Sequence, residues 1–550
     1  MASLPILTHE YILLNPSNEK INNNVSISEY LFKEMEKYGN TPALVHSLFD
    51  QKISYQQIMK DSFAIAAALK SKGIKSGDVV GICSENNLEY ASVILGILII
   101  GATCAPINPL YTISELKHTL SISRPVIIFC SHFSIHNIEE TTLELPFVKE
   151  LILFNNNSDA ESKFTTYESL INLHKNSKPL TVENINPTES VAFLLCSSGT
   201  TGLPKCVELT HANYMNLLNF VRLLWTNDDS GPNKVTLGLI PFFHGYGCCI
   251  LLISLMLKVY LVVMPRFDEM NFLEAIQNYK VTNLYVVPPI LVFLSKHPLV
   301  QKYNLSSIRK LTCGAAPLSK ETQENAQKRL NLNFEIQQGY GMTELSVCCV
   351  AFQNNINKIG SSGTIAPGMM LKIVDIETGK ALPPYNQGEL CFKGPFVMKG
   401  YRNNPIETEK VFDSQGWFHT GDIGYIDNEG FIYIVSRLKE LIKYKGFQVS
   451  PTELETVLLS HPGVKEAGVI GIPDEEAGEL PLAFIVKQPG ANITEDEIKK
   501  YVAGKVSPQK KLHGGVRFIP EIPKNPSGKI LRRELQAMNL RLWEMLYCNV

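Results

Sequence analysis

The first half of the chain alternates short, unbroken apolar runs with longer helical patterns, and this restricts the possible folds more than any other feature. Asp78-Val79-Val80-Gly81-Ile82-Cys83 reads as a strand, with a helix from about Asn87. Pro125 to Phe129, Lys234 to Ile240, Val281 to Val287 and Lys310 to Cys313 repeat the theme. A strand with one wet face alternates apolar and polar residues, whereas an unbroken apolar strand is covered on both faces. Separated by helices, such strands imply parallel sheets flanked by helices. From Gly360 to Val435 glycines, prolines and short alternating strands such as Leu371 to Val374 and Gly388 to Phe392 dominate, predicting a small β-rich unit. After Arg437 comes an α+β tail. Ser450, Pro451 and Glu453 form a helix start with a capping box, and Thr494 with Glu497 forms a second. A boundary is expected near Arg437 to Glu440, dividing the chain into residues 1–437 and 438–550.

Charge and composition exclude several function classes. The chain has 51 basic and 53 acidic residues, net −2, so it carries neither a nucleic-acid footprint nor a polybasic membrane surface. Its 45% hydrophobic and 19% charged residues suit a globular protein of several packing units. The opening MASLPILTHE lacks the charged head and long apolar body of a signal peptide. Two apolar runs, Ala91 to Ile107 and Gly247 to Met264, are short or interrupted for a membrane span and read as buried helix or helix plus strand. None of the twelve cysteines forms a Cys-x-x-Cys pair; most sit in apolar runs, as expected in a reducing compartment. The final Cys548-Asn549-Val550 is not a peroxisomal Ser-Lys-Leu address. A cytoplasmic location is expected, with a peroxisomal one left open.

The most informative segment is Ser197-Ser198-Gly199-Thr200-Thr201-Gly202-Leu203-Pro204-Lys205, which follows an apolar strand from Val191 to Cys196. Glycines let a backbone approach a ligand closely, and hydroxyls and a lysine add donors, which is what a polyphosphate needs. The spacing is not that of a Walker loop. By composition alone a flexible surface loop is the alternative.

From this segment onward the sequence resembles the adenylate-forming family of acyl-CoA and aryl-CoA synthetases, beetle luciferases and peptide-synthetase adenylation domains. The resemblance accumulates in order through Cys313-Gly314-Ala315-Ala316-Pro317-Leu318, Gln338-Gly339-Tyr340-Gly341-Met342-Thr343-Glu344 and Gly416-Trp417-Phe418-His419-Thr420-Gly421-Asp422. It continues through Arg437 to Gly446 and Pro523-Lys524-Asn525-Pro526-Ser527-Gly528-Lys529. It implies an α/β fold: a large N-terminal domain of two stacked α/β subdomains plus a small β-barrel, and a mobile α+β C-terminal domain. It also implies a two-step reaction. A carboxylate attacks the α-phosphorus of ATP, releasing pyrophosphate, and the acyl-adenylate then yields its acyl group to a thiol. Negative charge gathers in the first transition state, so electrostatic stabilisation must dominate.

The resemblance assigns roles residue by residue. Ser198, Gly199, Thr200, Thr201, Gly202 and Lys205 would hold the β- and γ-phosphates. Gly339, Tyr340 and Gly341 would line the adenine pocket, and Gly314, Ala315 and Ala316 would border the nucleotide and acyl group. Thr343 would bond the α-phosphate, and Glu344 would help bind Mg²⁺, which prefers oxygen ligands. Asp422 and Arg437 would reach the ribose. Lys529 would bridge the α-phosphate and the substrate carboxylate. Rotation about a hinge near Lys439 would exchange Lys529 for a second face carrying Lys443, Lys445, Gly446 and Gln448, which completes a channel for coenzyme A. Taken singly, Lys529 is an ordinary loop lysine, Asp422 a turn residue and Arg437 a surface ion-pair partner; the family context reverses these readings.

Pro241-Phe242-Phe243-His244-Gly245-Tyr246-Gly247 would border the acyl pocket, with His244 facing the acid or its adenylate. Cys313 to Pro317 and Ser346 to Cys349 would form other walls. A lining of Phe243, Tyr246, Ala315 and Cys348 favours a fatty or aryl acid. Luciferases carry His-His-Gly-Phe where this chain has Phe243-His244-Gly245-Tyr246, and the missing first histidine favours a ligase. Cys206 replaces the glycine usual after the phosphate-loop lysine, and His513 replaces an arginine of luciferases. The expected function is an ATP- and Mg²⁺-dependent acid–CoA ligase acting on a small-molecule substrate, a fatty or aryl carboxylic acid, with a luciferase-type monooxygenase as the rival. A silent binding protein that kept the fold is a second, argued against by the intact Thr343, Glu344, Asp422, Arg437, Lys443 and Lys529.

Overall fold

A computed structural model describes residues 5–16, 25–154, 163–177, 180–197, 204–226, 233–316, 318, 320–352, 358–445, 447–525 and 528–547. Its two largest sheets are mainly parallel. The first runs in the order Gly400–Tyr401, Lys205–Thr210, Val191–Ser197, Thr103–Ile107, Val79–Cys83, Ile127–Cys130, Glu150–Leu153, Thr165–Thr166. Only its first two neighbouring pairs are antiparallel. The second runs Thr364–Ile365, Val350–Ala351, Gln337–Tyr340, Lys310–Cys313, Asn283–Val286, Val235–Gly238, Tyr260–Val263, Pro42–His46, Lys52–Ser54, with antiparallel strands at both edges. The predicted strands are all present, with ends that match the expected ones to within two residues.

Both apolar runs resolve into a buried helix followed by a sheet strand. Tyr90–Ile99 leads into Thr103–Ile107, and Gly245–Met256 leads into Tyr260–Val263. Every residue of Tyr90–Ile99 is buried. A helix apolar all round is stable only when covered on every side, and this one lies in a core shared by the two sheets, with Val80 and Phe193 from one and Leu44 and Leu261 from the other. Gly96 permits the packing, since a Cβ there would stand 2.7 Å from Ile65 Cγ2. This helix begins at Tyr90, later than the expected Asn87, because Asn86 and Asn87 are spent on loop hydrogen bonds. The buried Asn86 side chain ties the sheets together. It donates to the carbonyls of Gly238 (2.9 Å) and Ile240 (3.2 Å) and accepts from the Phe242 N–H (2.7 Å).

The small β unit is antiparallel, in the order Ile6–Leu7, Ile12–Leu14, Met370–Val374, Gly388–Lys393, Phe418–Ile426, Ile432–Arg437. Its first two strands come from the chain's beginning, where no sequence pattern announced them. The turn Leu438–Glu440 leads from this sheet to a five-stranded one built on the long hairpin Val464–Asp474 and Gly478–Lys487, with its own core around Leu454, Val469 and Ile498. Both expected helix caps form, but neither capping box closes. Ser450 Oγ accepts from the Glu453 N–H, while the Glu453 carboxylate pairs with Lys510 at 2.7 Å. Thr494 Oγ1 accepts from the Glu497 N–H, while Glu497 faces His461 at 3.5 Å. In each case a side chain distant in sequence competes for the carboxylate. No helix among the described residues is long and apolar enough to cross a membrane.

Candidate active site

A cavity of about 930 Å³ lies where the carboxyl ends of Val191–Ser197, Lys310–Cys313 and Gln337–Tyr340 meet the small β unit and the turn bearing Lys529. Parallel sheets place ligands at this end because the loops that follow the strands converge there.

At one end Tyr340 closes the strand Gln337–Tyr340, with its ring 6.1 Å from that of Phe392 at 21°. Its hydroxyl donates to Asp422 Oδ2 over 2.7 Å, and Arg437 Nε lies 3.3 Å from Oδ1. Asp422 and Arg437 are register partners on adjacent strands, which fixes their approach. Burial raises the Asp422 carboxyl above its ordinary range, and Arg437 opposes that rise. Gly341 must be glycine, since a Cβ there would sit 2.1 Å from Val347 O. Val347 itself holds φ +77°, a strained conformation for a β-branched residue.

Glu344 is buried on the turn Thr343–Leu345, with Thr343 beside it on the cavity wall. Ser197 Oγ (2.9 Å) and Tyr401 Oη (3.0 Å) both donate to its Oε1. Oriented hydroxyl donors hold a carboxylate in place, and a hard cation suits such an oxygen ligand. Lys205 lies 2.5 Å from Glu407 Oε2 and over the Tyr401 ring at 4.9 Å. Hydrogen bonds from Lys205 and Lys410 pull the Glu407 carboxyl down to about 2.

On the apolar side, His244 caps Gly245–Met256, its Nδ1 accepting from the Tyr246 N–H at 3.3 Å. Burial pushes the imidazole down to about 4, so it is neutral near pH 7. With Nδ1 accepting, the proton resides on Nε2. Phe243, Tyr246, Cys249, Ile250, Trp225 and Cys348 complete this wall. Of the expected walls, Cys313, Gly314, Ala315, Val347 and Cys348 face the cavity. Ser346 and Cys349 do not: both are buried, with Ser346 Oγ donating to the Phe396 carbonyl at 2.7 Å. Ala316 also lies off the cavity lining.

Lys529 enters from the five-stranded unit. Its N–H donates to Asn525 Oδ1 at 2.8 Å, and its turn abuts Pro289, whose Cγ a Cβ on Gly528 would meet at 2.8 Å. Burial, aided by the repulsion of Arg437, pushes its ammonium down to about 8. Lys443, Lys445 and Gln448 are not brought to the cavity. Lys443 and Gln448 pair across the exposed hairpin Ile442–Tyr444 and Phe447–Val449, and Lys445 is exposed at its tip, at φ +47°. Ser198, Gly199, Thr200, Thr201, Gly202 and Gly446 lie outside the described residues.

Sequence reading missed Tyr401, Glu407, Glu389 and His419, all on the cavity wall. His419 Nδ1 meets Glu389 Oε2 at 2.7 Å, and Glu389 Oε1 accepts from the Gly421 N–H at 2.8 Å, next to Asp422. His419 stood within a quoted motif and offered a signal; Glu389 and Glu407 are ordinary surface-type carboxylates in sequence, and only folding aims them inward.

The chain matches the AMP-binding enzyme family over residues 31–402 and the AMP-binding enzyme C-terminal domain over residues 453–529. It is 39% identical over 523 residues to a luciferin 4-monooxygenase of Nipponoluciola cruciata, covering 93% of this chain and 94% of the relative. It is 38% identical over 526 residues to a 4-coumarate–CoA ligase of Vanilla planifolia, covering 94% and 93%. Among solved structures, MatB of Rhodopseudomonas palustris, 26% identical and covering 94% of this chain and 99% of its own, superposes with a TM-score of 0.81 in the ATP-bound crystal and 0.72 in the apo crystal. Two domain matches in chain order, full-length relatives and a shared fold together establish that the chain belongs to the AMP-binding, adenylate-forming enzyme family.

Proposed function

We propose that the protein is an ATP-dependent acid–CoA ligase that activates a fatty or aryl carboxylic acid as its adenylate and passes the acyl group to the thiol of coenzyme A. One observation carries the reading: the Tyr340–Asp422–Arg437 cluster and Lys529 share a cavity with a mainly apolar wall containing His244. Asp422 would accept from ribose hydroxyls, Tyr340 would border the base, and Thr343 the α-phosphate. Lys205 would leave Glu407 for the phosphates, with Ser198, Gly199, Thr200, Thr201 and Gly202 as the rest of that loop. Glu344 would hold Mg²⁺, which supplies positive charge against the phosphates.

Adenylation concentrates negative charge between the α-phosphate and the attacking carboxylate. Lys529 is the cation best situated to answer it, and below pH about 8 it is charged. His244, neutral and on the cavity wall, would donate through Nε2–H to the acid or its adenylate without adding charge to that side of the cavity. The better match to ATP-bound than to apo MatB accords with an adenylation-like arrangement. The second step then needs the tail to turn near Lys439, bringing Lys443, Lys445, Gly446 and Gln448 inward to meet coenzyme A.

A luciferase-type monooxygenase is the second reading, because luciferin 4-monooxygenases are as similar as CoA ligases. Phe243, in place of a luciferase histidine, favours the ligase. A pyrophosphate-release screen over fatty and cinnamic acids, with and without coenzyme A, decides between them. Thioester formed only with coenzyme A is expected; light that needs O₂ and not coenzyme A would overturn the ligase reading.

A further inference from the structure

We propose that Cys196 and Cys206 are a redox modification site, forming a reversible disulfide across the neck of the phosphate-binding segment when peroxide enters the cavity. The two residues are direct partners on the antiparallel strands Val191–Ser197 and Lys205–Thr210, and their sulfurs are 3.7 Å apart. Opposed residues of antiparallel strands have Cα atoms roughly 4.5–5.5 Å apart, inside the range a disulfide spans. Side-chain rotation therefore suffices to bring the sulfurs to the ~2 Å of a bond. The next rung pairs Ser197 with Lys205, the first and last residues of the segment itself.

Access is asymmetric. Cys196 lines the cavity, whereas Cys206 is 1% exposed beneath it. Hydrogen peroxide therefore meets Cys196 first. The Cys196 thiolate attacks one peroxide oxygen, the O–O bond breaks, and a sulfenic acid and hydroxide result, the hydroxide becoming water with the proton the Cys196 thiol had shed. Cys206 sulfur then attacks Cys196 sulfur. The S–S bond forms, the S–O bond breaks, and hydroxide leaves with the Cys206 proton as water. Two thiols and one peroxide thus become one disulfide and two waters. The contact with Cys206 and burial both hold the Cys196 thiol above its ordinary range, which keeps thiolate scarce and slows the first oxidation step.

Closing the bridge pulls on the strand ends that carry two site contacts, Ser197 to Glu344 and Lys205 to Glu407. The loss of ATP affinity expected from this rests on the adenylation reading; the cross-link itself does not. The full chain would be treated with hydrogen peroxide, digested without reduction and mapped by mass spectrometry, with ATP affinity followed by thermal shift. Expected are a linked Cys196–Cys206 peptide, two hydrogens lighter, a roughly tenfold or greater loss of ATP affinity, and recovery with dithiothreitol. Cys206→Ala should fold, bind ATP and resist inactivation at the same dose; Cys206→Ser replaces it if alanine destabilises the strand. Unlinked Cys196 and Cys206 at an inactivating dose, or equal sensitivity of the Cys206 variants, would overturn the site. A linked peptide with unchanged ATP affinity would overturn its regulatory consequence. A reduced chain that binds no ATP would count against the adenylation reading, while the peptide map would still decide the cross-link.

Discussion

The Tyr340 hydroxyl donates to Asp422 across 2.7 Å of buried space, joining the end of a parallel strand to the small antiparallel sheet. Tyr340→Phe removes this bond and leaves Arg437 as the main support of a buried carboxylate. Because a hydrogen bond to a charged group contributes about 1.5–3 kcal/mol, ATP affinity should fall roughly tenfold or more. Calorimetric titration of the variant checks this; unchanged affinity would place the nucleotide elsewhere.

Lys529 has a folded value of about 8 against an ordinary 10.5. The ammonium is the useful form, so kcat/KM for ATP should fall as pH rises through about 8 in the free enzyme. Bound nucleotide adds negative charge and should shift the same limb upward in kcat. The unfolded chain holds this proton more tightly, so this group's penalty to stability is full below pH 8 and fades as pH climbs to 10.5. Lys529→Arg stays charged and should abolish the alkaline limb; a limb that persists assigns it to another group.

The two lysines should separate by half-reaction. Lys529→Ala should cut adenylation by two or more orders of magnitude, on the order of 3 kcal/mol, while thioester formation from supplied adenylate survives. Lys443→Ala should do the reverse. Loss of the same half-reaction in both would refute the turning tail.

Glu344→Gln keeps an acceptor for Ser197 and Tyr401. Thermal stability should therefore change by no more than roughly 1 kcal/mol. The Mg²⁺ concentration for half-maximal activity should rise about tenfold, read from metal titrations at saturating ATP. An unshifted metal curve would remove Glu344 from the metal's surroundings.

Arg532 is a structural prediction. Its Nε meets Glu440 at 2.9 Å beside the Leu438–Glu440 turn, and its Nη atoms grip the buried Glu455. Arg532→Met strands Glu455 in the five-stranded unit's core and should cost about 3–5 kcal/mol. Urea denaturation and limited proteolysis of the full chain should reveal early loss of that unit, partly rescued by Glu455→Gln. Glu455 has a raised folded value, so its charged form weighs against the fold, and the variant should recover stability as pH falls.

Periodicity alone carried the architecture far: unbroken runs such as Pro125 to Phe129, which folds as the buried strand Ile127–Cys130, need cover on both faces, and that is a local property of composition. The ordered glycine, hydroxyl and charge strings, through the family they resemble, likewise mark Tyr340, Asp422 and Lys529 in the sequence itself. Folding decided what those strings left open. Of the first two strands of the small sheet, Ile12–Leu14 pairs with Met370–Val374, a partner far along the chain, and Ile6–Leu7 joins the sheet only through Ile12–Leu14, so the sequence around them does not announce their place. Glu453 and Glu497 turned from their expected caps to Lys510 and His461, again partners supplied by folding. Glu389 and Glu407 became cavity residues for the same reason. Local sequence sets which backbone shape and burial each segment prefers; long-range packing alone chooses which side chains meet, and chemistry depends on those meetings.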